Sequence, residues 1–358
     1  MIIFFLILGL IFLIAGAELL VKGSSRLASS FGISPFLVGL TVVAFGTSSP
    51  ELAVSVKAAL SNQASIGLGN IIGSNIFNIL FIIGISAIIR QLFVTKQLLK
   101  QEVPLIIFVS GLVLIFALDG NFNRLEGLLL LAGFAIYMIF LVRQSRIEQA
   151  KPGDDFKTEF TLREDTIVSI PRNTLFIILG LGLLVLGSKW FVNSAVSIAE
   201  YFEVSKIVIG LTIVAAGTSL PEVVTSVLAT IKGERDIAVG NIIGSNLFNI
   251  MAVLGLSSLV APVGIQIAPS VIGFDIPIMI IISIICFPIF YTDSLMSRLE
   301  GGLFLGCYIA YISYIVFISS NNLTLPLLNN MMLYILVAVC FLIFIGVIIK
   351  PFINLFKK

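Results

Sequence analysis

The sequence GTSSPE at residues 46–51 decides the fold, because it places polar groups inside a long apolar run. Residues 38–59 are otherwise mostly Val, Leu, Ala and Phe, which is typical of a membrane-spanning helix. An acid such as Glu51 near the middle of a span costs about 3 kcal/mol, and intramembrane acids usually mark ion pathways. Pro50 has no N–H for the carbonyl of Gly46, so we expect a kink and a freed carbonyl here. The segment thus collects the hard oxygen ligands that Na⁺ and Ca²⁺ prefer.

The overall composition is that of a polytopic membrane protein. Of the 358 residues, 58% are hydrophobic and 11% are charged, far from the balance of a soluble protein. The net charge of +2 gives no reason to expect a nucleic-acid partner, and the absence of histidine excludes zinc–imidazole chemistry. The predicted spans, embedded in a lipid bilayer, cover residues 2–21, 35–60, 66–89, 103–118, 125–142, 173–192, 205–231, 237–261, 271–291, 299–319 and 331–349.

The basic residues predict how the chain crosses the membrane. Residues 143–172 hold six Lys/Arg and six Asp/Glu, which is typical of a solvated linker. Alternate loops, including this linker and the C-terminal tail, carry 17 of the 21 Lys and Arg residues. By the positive-inside rule, we expect a plasma-membrane protein with its N-terminus outside and with the linker and C-terminus in the cytoplasm.

The chain also contains an internal repeat. Residues 39–78 align without a gap on residues 210–249, and 23 of the 40 aligned pairs are identical. Each repeat holds five spans, and an odd number places the second copy upside down, as in many secondary transporters. We therefore predict an all-α polytopic membrane protein with an inverted repeat of five plus five transmembrane helices and an additional C-terminal eleventh helix. The predicted units are 1–142 (first repeat), 143–172 (cytoplasmic linker), 173–319 (second repeat) and 320–358 (extra helix and basic tail).

The repeated polar residues are candidates for a cation site. Glu51 and Glu222 together supply a charge of −2, which matches one Ca²⁺ or two Na⁺. A structural role for these acids is disfavoured, because no Lys or Arg lies near the middle of spans two, three, seven or eight. Ser74 lies four residues from its neighbour Asn78 on one helix face, and the second repeat has the same spacing. Such residues can also serve helix packing, but their recurrence beside the glutamates favours a ligand role.

The motifs GTSSPE at 46–51 with GNIIGSNIFN at 69–78, and GTSLPE at 217–222 with GNIIGSNLFN at 240–249, resemble the two alpha-repeats of the sodium/calcium exchanger family. This resemblance implies exchange of three Na⁺ for one Ca²⁺ by alternating access, with these ions as substrates, no cofactor and no enzymatic reaction. The implied ligands comprise the shared glutamates Glu51 and Glu222, the groups Thr47, Ser48, Ser74 and Thr218, Ser219, Ser245, the carbonyls of Ala44 and Ala215, and the amides of Asn78 and Asn249.

Some alternatives stay open at this point. A Ca²⁺/H⁺ antiporter would use the same two glutamates, although the paired hydroxyls favour Na⁺. An intramembrane aspartyl protease needs two aspartates, and neither motif contains one. The interpretation as a channel is disfavoured, because the sequence has no filter-like loop. In some relatives an aspartate stands at the position of Asn249, so asparagine here makes potassium dependence less expected. The sequence specifies no oligomeric state.

Overall fold

The computed structural model describes residues 1–31, 33–95, 97–150, 170–202, 215–293 and 295–319. Helices make up most of these residues. In chain order the helices are α1 (Ile2–Phe31), α2 (Pro35–Thr47), α3 (Ser49–Leu60), α4 (Ala64–Ile89), α5 (Leu98–Ala117), α6 (Arg124–Ala150), α7 (Ile170–Tyr201), α8 (Ala215–Thr218), α9 (Leu220–Lys232), α10 (Arg235–Val260), α11 (Ile276–Asp293, after a π-helical turn at Val271–Asp275) and α12 (Arg298–Ser319).

The helical membrane fold predicted from the sequence is confirmed. Within the described residues, eight helices are long and apolar enough to cross a membrane, and α2 with α3 forms a ninth, bent span. The predicted seventh span lies partly outside the described residues, and its remainder forms α8 and α9. The predicted eleventh helix at 331–349 and most of the linker lie outside them altogether. The division into five plus five plus one helices therefore stays a prediction.

Helices α1 and α7 are longer than the sequence indicated. They hold 30 and 32 residues, whereas the predicted spans 2–21 and 173–192 ended about ten residues earlier. At 1.5 Å per residue each helix is about 45 Å long, which exceeds a hydrocarbon thickness of about 30 Å. Hydropathy marks the apolar stretch but not the polar turns that continue the helix beyond it, so the predicted ends were wrong.

Glycines let α1 and α7 pack backbone against backbone in antiparallel orientation. A Cβ atom on Gly9 would lie 2.8 Å from the carbonyl oxygen of Gly187, and one on Gly16 would lie 2.8 Å from that of Gly180. Small residues permit this close approach of helices in membranes. The two contacts are equivalent under the internal repeat, as expected for a pair of inverted copies.

The remaining spans surround a buried centre formed by α4 and α10. Helix α10 is buried along its whole span, and α4 along most of it. Both helices contain a stretch of π-helix, at Asn78–Ile83 in α4 and at Phe248–Leu254 in α10. Such turns disturb the regular hydrogen bonding of a helix and often lie at functional sites. The motifs GNIIGSNIFN at 69–78 and GNIIGSNLFN at 240–249 overlap the start of these stretches.

Two short antiparallel ribbons join loops of the first repeat to loops of the second. Strand β1 (Leu92–Phe93) pairs with β4 (Leu295–Met296), and β2 (Asn121–Phe122) pairs with β3 (Ile265–Gln266). Each ribbon satisfies backbone groups at the ends of the spans. The ribbons also hold α4, α5 and α6 in register with α10, α11 and α12.

Candidate cation-binding site

The first GTSSPE motif forms the predicted break in its span. Helices α2 and α3 meet at an angle of 45°. Pro50 lies in the first turn of α3, where its missing N–H removes no bond within that helix. The carbonyl of Gly46, freed at the break, accepts a hydrogen bond from Ser49 Oγ at 2.8 Å. The kink and the freed carbonyl are thus confirmed, and a hydroxyl of the same motif satisfies the carbonyl.

In the second motif, the freed carbonyl is bonded by a residue of another helix. Leu220 stands where the first repeat has Ser49, so this motif has no hydroxyl at that position. The carbonyl of Gly217 instead accepts a hydrogen bond from Ser188 Oγ of α7 at 2.7 Å. The two breaks therefore differ. Among the described residues, the freed carbonyl of the second break is bonded to the helix pair α1–α7, whereas that of the first is bonded within its own motif.

Both glutamates are fully buried in the first turn of a helix, Glu51 in α3 and Glu222 in α9. A carboxylate in this place is favoured by the positive end of the helix dipole. Glu51 Oε1 accepts a hydrogen bond from Ser219 Oγ at 2.8 Å, and Glu222 Oε1 accepts one from Ser48 Oγ at 2.7 Å. Each acid is therefore bonded by the serine of the opposite repeat and not by the serine of its own motif.

Several buried oxygens have no hydrogen-bond partner among the described residues. A buried acceptor without a partner costs about 1–3 kcal/mol, and more if it is charged. Two carboxylate, two amide and one hydroxyl oxygen of this kind lie on four helices that pack together, and such hard oxygens are the ligands that Na⁺ and Ca²⁺ prefer. They are Glu51 Oε2, Glu222 Oε2, Asn78 Oδ1, Asn249 Oδ1 and Ser245 Oγ.

Four asparagines of α4 and α10 bond one another through their side-chain nitrogens. Asn78 Nδ2 donates to Asn246 Oδ1 at 2.9 Å, and Asn249 Nδ2 donates to Asn75 Oδ1 at 3.1 Å. Asn75 and Asn246 in turn donate to each other's backbone carbonyls, at 3.4 and 3.3 Å. Because the nitrogens of Asn78 and Asn249 are engaged, their oxygens are the atoms left for a ligand. Asn75 and Asn246 thus join α4 to α10 through their side chains.

The two threonines of the motifs are held by asparagines that sequence reasoning missed. Thr47 Oγ1 donates to Asn241 Oδ1 at 3.0 Å, and Thr218 Oγ1 donates to Asn70 Oδ1 at 3.2 Å. Both bonds again run between the repeats. A signal was available, since Asn70 and Asn241 occupy the same offset in the two copies of GNIIGSN.

The remaining predicted ligands include Ser74 and the carbonyls of Ala44 and Ala215. Ser74 Oγ lies 3.1 Å from Ser219 Oγ, so the hydroxyls of α4 and the second motif are in contact. The carbonyl of Ala44 in α2 accepts the N–H of Ser48 at 3.0 Å, which leaves one of its two lone pairs. Ala215 is the first residue of α8. Within the described residues the site has two carboxylates and no cluster of three acidic, Cys or His side chains, so neutral oxygens must supply the other ligands.

The chain is similar to known membrane proteins over most of its length. The model of the family "Sodium/calcium exchanger protein" matches residues 1–143 and 172–317. The chain is 36% identical over 321 residues to the inner membrane protein YrbG of Escherichia coli, covering 88% of this chain and 96% of that protein. It is 32% identical over 344 residues to the sodium/calcium exchanger MaX1 of Methanosarcina acetivorans, covering 87% of this chain and 98% of the relative.

The fold also matches a solved transporter. The sodium-calcium exchanger NCX_Mj, in crystals soaked with 2.5 mM Na⁺ and 0.1 mM Ca²⁺, superposes with a TM-score of 0.74 at 31% sequence identity. The match covers 87% of this chain and 97% of NCX_Mj. The similarity therefore extends over nearly the whole of the solved protein, including both halves of the fold.

Proposed function

The chain belongs to the sodium/calcium exchanger family, and on that premise we propose that it exchanges Na⁺ for Ca²⁺ across the membrane by alternating access. One observation carries the proposal. Glu51 and Glu222 are buried in opposite repeats, and each keeps one carboxylate oxygen without a partner among the described residues. Their charge of −2 matches one Ca²⁺, and the surrounding neutral oxygens can complete the six to eight ligands that this ion takes.

In this mechanism Ca²⁺ and Na⁺ compete for overlapping ligands, and no covalent chemistry is needed. The crossed bonds of Ser48 and Ser219 hold the two carboxylates in place before a cation arrives. The amide oxygens of Asn78 and Asn249, which have no partner among the described residues, would be further ligands. The proposed ligands are Glu51, Glu222, Thr47, Thr218, Ser48, Ser219, Ser74, Ser245, Asn78, Asn249 and the carbonyls of Ala44 and Ala215.

Sliding of the pair α1–α7 over the remaining helices would expose the site to one side at a time. The glycine contacts at Gly9 and Gly16 favour movement of the two helices as one body. Few polar bonds join this pair to the rest of the described protein. They include the Ser188 bond to Gly217 at 2.7 Å and an ion pair between Lys232 and Glu18 at 2.9 Å.

We further propose that three Na⁺ exchange for one Ca²⁺. Two outer Na⁺ would use the hydroxyls on either side of the glutamates, and a third would use the amides of Asn78 and Asn249. One net positive charge then moves with the Na⁺ in each cycle, which is worth about 2.3 kcal/mol per 100 mV. In Na⁺-loaded liposomes, an interior-positive valinomycin–K⁺ potential should speed Ca²⁺ uptake and an interior-negative one should slow it. Equal rates at both signs would indicate two Na⁺ per Ca²⁺.

The coupling ion is tested with purified protein in liposomes. A Na⁺ gradient without a pH gradient should drive ⁴⁵Ca²⁺ uptake, and a pH gradient without Na⁺ should not. The opposite result would make the protein a Ca²⁺/H⁺ antiporter, in which protons replace Na⁺ on Glu51 and Glu222.

We also propose the plasma membrane as the location, with the N-terminus outside and the linker and C-terminus in the cytoplasm. The basis is the charge distribution among the loops. The repeats would be residues 1–142 and 173–319, joined by the linker 143–172, with residues 320–358 as an added helix and tail.

A further inference from the structure

Two buried chains of hydrogen bonds end on the threonines of the site. In one chain, Asn241 Nδ2 donates to Ser226 Oγ at 2.9 Å while Asn241 Oδ1 accepts from Thr47 at 3.0 Å. Thr47, Asn241 and Ser226 are all buried. In the mirrored chain, Asn70 bonds the hydroxyl of Ser55 at 3.2 Å and that of Thr218 at 3.2 Å.

The direction of these bonds matters for cation binding. A hydroxyl has one proton and two lone pairs, and an amide oxygen can only accept. When Thr47 gives its proton to Asn241, its lone pairs point away from the amide and are available to a cation. Two other acceptors lie within reach of this hydroxyl, the Ala44 carbonyl at 3.4 Å and the carboxylate of Glu222. Loss of the amide would turn the proton towards one of these oxygens, and both are proposed ligands.

We propose that Asn241 and Asn70 are positioning residues, which orient Thr47 and Thr218 as ligands of the two outer Na⁺ ions. This inference rests on the proposed Na⁺/Ca²⁺ exchange. The serine at the far end of each chain fixes the amide, because it engages the nitrogen and leaves only the oxygen for the threonine. Each outer site therefore depends on a residue of the opposite repeat that does not itself touch the ion.

The test is a double-mutant cycle on Asn241 and Thr47, measured as ⁴⁵Ca²⁺ uptake into liposomes with varied internal Na⁺. Asn241→Ala should raise the Na⁺ concentration for half-maximal rate about fivefold, the equivalent of one hydrogen bond of ~1 kcal/mol. The KM for Ca²⁺ should rise less than the Na⁺ requirement, because the proposed outer Na⁺ positions use the threonine hydroxyls. In a Thr47→Ala background, Asn241→Ala should add nothing further, since its effect passes through that hydroxyl.

The outcomes separate the inference from the proposed function. If wild-type uptake does not depend on Na⁺, both are wrong. If it depends on Na⁺ but the two substitutions act additively, or the KM for Ca²⁺ rises in parallel, only the positioning role is wrong. The cycle on Asn70 and Thr218 should give the same pattern in the mirrored site.

Two further variants guard against a folding defect. Ser226→Ala removes only the hydroxyl that anchors Asn241, so it should also raise the Na⁺ requirement and be silent in a Thr47→Ala background. It replaces Asn241→Ala if that variant does not elute as a single species. The matched control is Ser258→Ala, which removes a buried hydroxyl bonded within α10 to Leu254 at 2.7 Å and should leave both ion dependences unchanged.

Discussion

Neutralising one glutamate should abolish Ca²⁺ exchange without unfolding the protein. In Glu51→Gln the amide oxygen can still accept the hydroxyl of Ser219, which lies 2.8 Å from Oε1 in the native protein. The change at the other oxygen is the harmful one. Oε2, which has no partner among the described residues, becomes an NH₂ group that presents two donors to the cation. Glu222→Gln makes the same change at the other carboxylate, whose Oε1 accepts a hydrogen bond from Ser48.

The size of the effect follows from the charge. At an effective dielectric constant of about 20, one unit charge at about 2.4 Å from a divalent ion contributes on the order of 10 kcal/mol before hydration is counted. After desolvation is counted, removing one partner of a buried charge pair costs about 3–5 kcal/mol, which corresponds to a loss of more than a hundredfold in Ca²⁺ affinity. Exchange at micromolar Ca²⁺ should then be undetectable in either variant.

The assay is ⁴⁵Ca²⁺ uptake into Na⁺-loaded liposomes, with protein that elutes as a single species. A matched control is Glu102→Gln in α5, because Glu102 is also fully buried but bonds Tyr137 and Gln97 instead of the site. This control should keep its activity. Near-normal exchange in Glu51→Gln or Glu222→Gln would refute the two-carboxylate site.

Three other predictions test the topology and the packing. Cysteines introduced as Ile2→Cys and Phe356→Cys, in a protein without its native cysteines, should be labelled from opposite faces of the membrane, and labelling from one face would overturn the predicted count of eleven spans. Gly244→Ala should lower the thermal stability or prevent folding, because its new Cβ would collide with the backbone of α2, and a wild-type melting temperature would contradict that packing. Ser188→Ala should destabilise the protein by about 1–3 kcal/mol, since it leaves the Gly217 carbonyl without its hydroxyl donor, and unchanged thermal stability would show that the bond is not needed.

Part of the structure could not be read from hydropathy. The prediction began its fourth span at residue 103, and Glu102 was not singled out, although it is buried and bonded to Tyr137 of α6. Asp275, just before α11, likewise accepts a hydrogen bond from Tyr311 of α12 at 2.9 Å. A hydropathy window counts such acids as the edge of a span, because it contains no information on a donor in a distant helix.

The sequence by itself determined the class of fold and the residues to suspect. Apolar length is a local property, and a polar motif that recurs at a fixed offset is visible without a structure, so Glu51, Glu222 and their neighbours could be named in advance. Only the tertiary structure decided which of them meet. Ser48 bonds Glu222, at a sequence separation of 174 residues, and not Glu51, three residues away. The physical reason is that the two copies of the motif meet in the folded protein, so the serine of each motif donates to the acid of the other copy.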